Sequence, residues 1–245
     1  MDDREILTPA KGLLTRAEHP GPQARAVPRL ALLAWGERLF EAARARLADV
    51  ETVGFAAERP VLVGRADGVE VALAHPGLGA PATALVAEKL VAAGARHVVG
   101  IGFAGGLGGV ARGDVVVLER SARDEGTSWH YGATGDFAEA SPDAAKALLA
   151  AIPRARPGAA WTTDAPYRET VGALARFRRL GCVAVEMESA ALFAVARFRG
   201  FEAGAAVIVA DTFDGDTWSP APPGSLDETV ARVADGAIAA LVRRD

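Results

Sequence analysis

Two acids one residue apart, Glu186 and Glu188, stand either side of Met187 in the stretch VAVEMESAALFAVARFRG, residues 183–200. The apolar run Val183, Ala184, Val185 reads as a buried strand, and alternate strand residues point the same way, so both carboxylates are expected on one face. Residues 189–199 contain neither Gly nor Pro and finish with Arg197, Arg199 and then Gly200, the pattern of a helix and its C-cap. The acids therefore fall where a buried strand passes into a buried helix. Ionised carboxylates are costly to bury alone, so a ligand, or a structural Arg or Lys, is expected to meet them. A structural ion pair is the competing reading.

Other residues also suit chemistry. Asp211 follows an apolar strand predicted over 203–210, and open α/β sheets bind ligands at the carboxyl ends of their strands. With Asp214 and Asp216 it does not form an EF-hand loop, and a solvated loop is the plainer reading of those acids. Arg38 falls in the first turn of a helix predicted over 37–47, where unpaired N–H groups favour a phosphate or carboxylate; a solvent-facing arginine is the alternative. Gly100, Gly102 and Gly105 spell G-x-G-x-x-G after a strand predicted over 96–101, but a dinucleotide turn needs a helix next. Gly106, Gly108, Gly109 and Gly113 follow instead, then another strand over 114–119. What remains is a flexible glycine-rich loop close to a ligand, with Phe103 available to stack on a flat ring. His130, between Trp129 and Tyr131 in a polar aromatic loop over 121–131, suits either a pocket wall or simple packing.

These groups need a scaffold. A strand at 29–35 leads into the helix at 37–47, where Leu39, Phe40, Ala43 and Leu47 share a face. A hairpin pairs 61–65 with 69–74 about Ala66-Asp67-Gly68. A helix over 82–93 follows Pro81, and a further helix starts at Pro142 behind Ser141. A strand at 159–163, a loop at 164–170, a basic helix at 171–180 and a closing helix at 226–242 complete the pattern. Strand-helix-strand repetition predicts an α/β fold, with residues 1–28 as an N-terminal arm and 29–245 as a single domain.

Composition narrows the partners. The chain has 245 residues and a formal net charge of -4, which gives no bulk attraction to nucleic acid or an anionic membrane. A small-molecule ligand is expected. One cysteine, Cys182, cannot form an internal disulfide and reads as a packed core thiol, and the four scattered histidines give no metal-ligand spacing. No secretory leader pattern or apolar run of about 18 residues appears, which predicts a cytoplasmic protein.

Val185-Glu186-Met187-Glu188-Ser189-Ala190 resembles the V-E-M-E-[SA]-A element of the nucleoside phosphorylase family that includes uridine phosphorylase and bacterial purine nucleoside phosphorylase. Gly77-Leu78-Gly79-Ala80-Pro81, Gly102 with Ala104-Gly105, Gly113-Asp114-Val115, and Thr163-Asp164 with Tyr167 match in the same order. The resemblance implies a three-layer αβα sandwich around a twisted mixed sheet, assembled as a dimer or a trimer of dimers. It implies that Glu188 holds the ribose hydroxyls against oxocarbenium-like charge, that the backbone around Met187 packs on the sugar, and that Arg168 lies where the base is contacted. Glu186, Phe103, Ala104, Gly105 and His130 are the further candidates for the nucleoside site. Asp211 matches the purine-type position, where an acid with a raised pKa protonates the leaving base.

The resemblance departs at the phosphate. Family phosphorylases hold it with arginines in three places: Arg38 matches the first, although Ala34-Trp35-Gly36 replaces Gly-Asp-Pro before it, and Arg59 is the candidate for the second, donated across a subunit interface. The third falls on Gly100 and the adjacent hydroxyl residue on Phe103; each lost charge-assisted bond is worth about 1.5–3 kcal/mol. Residues 102–107 also resemble methylthioadenosine/S-adenosylhomocysteine nucleosidase, which uses water; its Glu base would fall near Leu39, with Glu37 and Glu41 close by. The expectation is phosphorolysis of a purine nucleoside to free base and ribose 1-phosphate, with phosphate as co-substrate and no metal or organic cofactor. Hydrolysis and non-catalytic nucleoside binding are the alternatives.

Overall fold

The computed structural model describes residues 26–53, 60–132, 134–220 and 226–244. β1 (Leu30–Trp35) runs into α1 (Glu37–Arg44), then β2 (Ala48–Val53), β3 (Val61–Ala66) and β4 (Val69–Ala74). α2 (Ala80–Ala92), β5 (His97–Gly106), β6 (Val115–Asp124), β7 (Phe137–Glu139), α3 (Pro142–Ala151) and β8 (Ala155–Thr163) follow. α4 (Val171–Arg179), β9 (Cys182–Glu186), α5 (Ser189–Arg199), β10 (Glu202–Asp214), β11 (Thr217–Ser219) and α6 (Asp227–Val242) complete the order.

The strands form one mixed sheet in the order β11-β10-β6-β8-β9-β5-β1-β4-β3-β2, with β7 on β6. The expected layered α/β architecture is present. One half of it is more than a layer: β10 pairs with β5 in parallel and with β6 antiparallel, so β10, β6, β8, β9 and β5 close into a ring. The parallel strands β1 and β5 are almost wholly buried and apolar because both faces are covered, and from Ala203 to Val209 β10 is wholly buried. Helix α5 is buried along Ser189–Ala196 on every side, as an all-round apolar sequence requires. Its Arg199 reaches Glu88 of α2, Nε to Oε2 2.8 Å. No helix among the described residues is long and apolar enough to cross a membrane.

The structure corrects the sequence expectations in several places. The glycine-rich run at 100–106 is strand, not flexible loop. A Cβ on Gly100 would lie 2.3 Å from the Trp35 ring, and one on Gly102 would lie 2.9 Å from it, so these glycines exist to let an indole lie flat on β5. β10 continues through Asp211 to Asp214 instead of ending before it, and β6 takes in residues 121–124. α1 is shorter than 37–47, and polar β2 and three-residue β7 were not expected. Of the predicted arm, residues 1–25 lie outside the described residues; Val27 is buried, its N–H donating to Ala93 O at 3.0 Å.

Candidate active site

The carboxyl ends of β1, β5, β9 and β10 surround a cavity of about 670 Å³. Four acids line it, Glu169, Glu186, Glu188 and Asp211, together with the aromatic residues Trp35, Phe103, Tyr167, Phe213 and Trp218. Met187, Ala104 and Gly105 also line it, so most of the residues singled out from sequence converge here.

Glu186 closes β9 and is turned inward. Its Oε1 accepts from the hydroxyls of Thr162, on β8, and Ser189 (2.6 Å), while Oε2 accepts from the N–H groups of Glu188 (2.8 Å) and Ser189 (2.7 Å) at the start of α5. Burial pushes its pKa up, and these donors oppose the rise. Glu188 stands one residue before α5; its Oε1 accepts from Gly79 N at 2.7 Å and its Oε2 from Met187 N at 3.2 Å. Gly79 donates from φ +89°, a left-handed backbone that favours glycine. Burial, reinforced by the charge of Glu186, raises Glu188 to about 8. The two acids therefore do different jobs in place of sharing one strand face. Neither is met by Arg or Lys among the described residues: backbone N–H groups and hydroxyls satisfy them instead.

At the other end, the Asp211 carboxylate lies against Gly105, where a Cβ would come within 2.9 Å of its Oδ1. Burial raises its pKa, and a hydrogen bond from the Trp218 side chain opposes this. Glu169, half-buried after the short turn Pro166–Arg168, is raised to about 7 by burial and then by the charge of Asp211. Nothing among the described residues hydrogen-bonds its carboxylate. Glu169, not its neighbour Arg168, faces the cavity; Arg168 is exposed and outside the lining, and nothing local in the sequence separates the two. Trp35 had a signal, since glycines at 100 and 102 on the adjoining strand leave room for a large ring. Phe213 and Trp218 had none.

The remaining candidates lie elsewhere. Arg38 is at the rim: its guanidinium stands 5.8 Å from the Phe103 ring centroid and bonds Asp227 at 2.5 Å. Leu39 is buried, Glu41 is 3.6 Å from Arg44, and Glu37 is 3.7 Å from His75 Nε2. His130 is exposed on the turn Ser128–Tyr131 and does not line the cavity. Arg59 lies outside the described residues. Cys182 is buried, its thiol pushed up to about 11. Among the described residues no group of three or more His, Cys, Asp and Glu could hold a metal ion.

An α/β sheet whose strand ends enclose a cavity of this size, apolar apart from a few convergent acids, defines a small-molecule-binding protein of enzyme type. The chain belongs to the phosphorylase superfamily, whose family model matches residues 28–244. It is 30% identical over 162 residues to a guanosine phosphorylase from Halorubrum lacusprofundi, covering 64% of this chain and 67% of that one. It is 31% identical over 167 residues to a uridine phosphorylase from Salmonella typhimurium, covering 58% and 65%. These relatives are named as nucleoside phosphorylases, which are pentosyltransferases, and the matched segments span about two thirds of their length. The crystal structure of uridine phosphorylase from Vibrio fischeri ES114 superposes with a TM-score of 0.79 at 21% identity, covering 91% of this chain and 97% of that chain, which establishes the fold.

Proposed function

We propose that this chain cleaves a purine nucleoside by phosphorolysis, releasing the base and ribose 1-phosphate. The observation that carries the reading is the placing of two acids with raised proton affinity, Glu188 and Asp211, in one cavity. Breaking a glycosidic bond develops positive charge on the sugar and negative charge on the base. A ribose brings hydroxyl donors to Glu188, which favours its carboxylate form, and that carboxylate stabilises the sugar cation. Asp211, holding its proton more tightly than an exposed carboxyl, is suited to give it to the leaving base. Glu169, its carboxylate unpaired among the described residues, offers an acceptor to a base that carries N–H donors, and the aromatic walls suit a flat ring. Phosphate would enter from the α1 N-terminus beside Arg38, with Arg59 supplied by a neighbouring subunit of a dimer or trimer of dimers. Exposed Leu85 and Phe198 are side chains that such a contact would cover.

Hydrolysis is the second reading, favoured by the Trp35 ring lying over Gly100 and by the Arg38–Asp227 pair. Base release from purine and pyrimidine nucleosides, with and without phosphate, separates the two: phosphate-independent release sinks phosphorolysis. Asp211→Asn is expected to abolish purine turnover and spare pyrimidines. Unchanged purine turnover would retire the proton-donor role.

A further inference from the structure

One guanidinium ties together the segments that build the Asp211 end of the cavity. Arg178, near the end of α4, donates from Nε to the Leu107 carbonyl just past β5. Its Nη1 donates to Gly215 O at 3.1 Å and its Nη2 to Phe213 O at 3.0 Å. No carboxylate pairs with it among the described residues, so its charge is spread over carbonyl dipoles alone.

Two of those carbonyls belong to the β10–β11 hairpin. Among the described residues β11 pairs only with β10, through Thr212–Ser219, Phe213–Trp218 and Asp214–Thr217, and it is exposed along its length. A short two-stranded ribbon is marginal by itself. Yet this one brings Phe213 and Trp218 to the cavity, and the Trp218 side chain bonds Asp211. A flat, rigid guanidinium can satisfy three carbonyls of fixed direction at once, which a lysine ammonium on a flexible stem does not reproduce.

We infer that Arg178 is a positioning residue: by gripping Phe213 O and Gly215 O against Leu107 O, it sets the hairpin so that Phe213 and Trp218 close on the base and Trp218 stays bonded to Asp211. The kinetic part of the test rests on the nucleoside-cleaving reading, whereas the conformational part does not.

The experiment compares the full chain with Arg178→Lys, Trp218→Phe and the double variant. Hydrogen exchange is expected to quicken about 10-fold or more at amides 212–219 in Arg178→Lys, with α6 unchanged, because local opening loses charge-assisted bonds. For inosine at saturating phosphate, KM is expected to rise about 10-fold while kcat changes less. The effects of Arg178→Lys and Trp218→Phe on KM are expected not to add, since one acts through the other. Unchanged exchange at 212–219 overturns the inference, and so do additive effects on KM. Faster exchange confined to the hairpin in a chain that cleaves no nucleoside leaves Arg178 in its positioning role and removes the proposed reaction instead.

Discussion

Replacing Glu186 by Ala and by Gln should have sharply different consequences. The alanine leaves the N–H groups of Glu188 and Ser189 buried without acceptors. The two hydroxyls fare better: Ser189 Oγ keeps Ser121 Oγ at 2.7 Å, and Thr162 Oγ1 keeps Ala190 N at 3.1 Å. Each orphaned donor costs about 1–3 kcal/mol, so the alanine should lose about 2–6 kcal/mol before any cavity cost is added. That is a large part of the roughly 5–15 kcal/mol by which a domain is stable. Glutamine can turn its oxygen to the two N–H groups and its amide nitrogen to the hydroxyls, which accept as well as donate, so its loss should be about 1 kcal/mol or less. It also removes the Glu186 charge from beside Glu188, so the ionisation of Glu188 should move to lower pH. Denaturant unfolding of the three proteins measures the first effect, and the pH profile of kcat/KM the second. An alanine variant within about 1 kcal/mol of the parent, or a glutamine as damaging as the alanine, would refute the reasoning.

Gly100→Ala should destabilise by about 1–3 kcal/mol through overpacking against Trp35, and adding Trp35→Leu should relieve much of it; additive unfolding energies would show that the contact does not exist. Glu188 and Glu169 bind protons more tightly in the fold than a free carboxyl does, from 4.5 up to about 8 and about 7 respectively. Between pH 4.5 and about 8 the folded chain therefore holds protons that the unfolded chain has released, and stability should fall as pH rises through that window. Thermal unfolding of the parent and of Glu188→Gln across the window checks this: the variant should have the shallower slope, and an equal slope refutes the assignment.

How much of this was legible in the sequence varies with how local the cause is. The strand and helix around Glu186 and Glu188 could be read because apolar periodicity and the terminal Arg-Gly signal lie within the segment itself. The partners of those acids could not, since Thr162 and Gly79 are 24 and 109 residues away in the chain. The glycines at 100–106 show the limit of local reading: flexibility and close packing leave the same residue, and only the neighbouring Trp35 ring decides between them. β2 has no apolar alternation to mark it, because five of its six residues are exposed or half-exposed and Val53 is its one buried anchor. Glu169 and Arg168 show the same limit on a smaller scale. A single short turn decides which of two adjacent charged side chains faces the cavity.

The closed ring of strands bears on how the molecule comes into being on the ribosome. β10, residues 202–214, is the last of the five to be synthesised, yet it joins β5 to β6 and carries Asp211. Until it has emerged, the ring stays open, Asp211 is missing, and the β5 glycines have only one of their flanking parallel strands. Its pairing with β5 spans about a hundred residues, the kind of non-local contact that forms slowly. Nascent chains short of β10 should therefore present unfilled strand edges and an acidic half-site, making this stage of synthesis the one most exposed to misassociation.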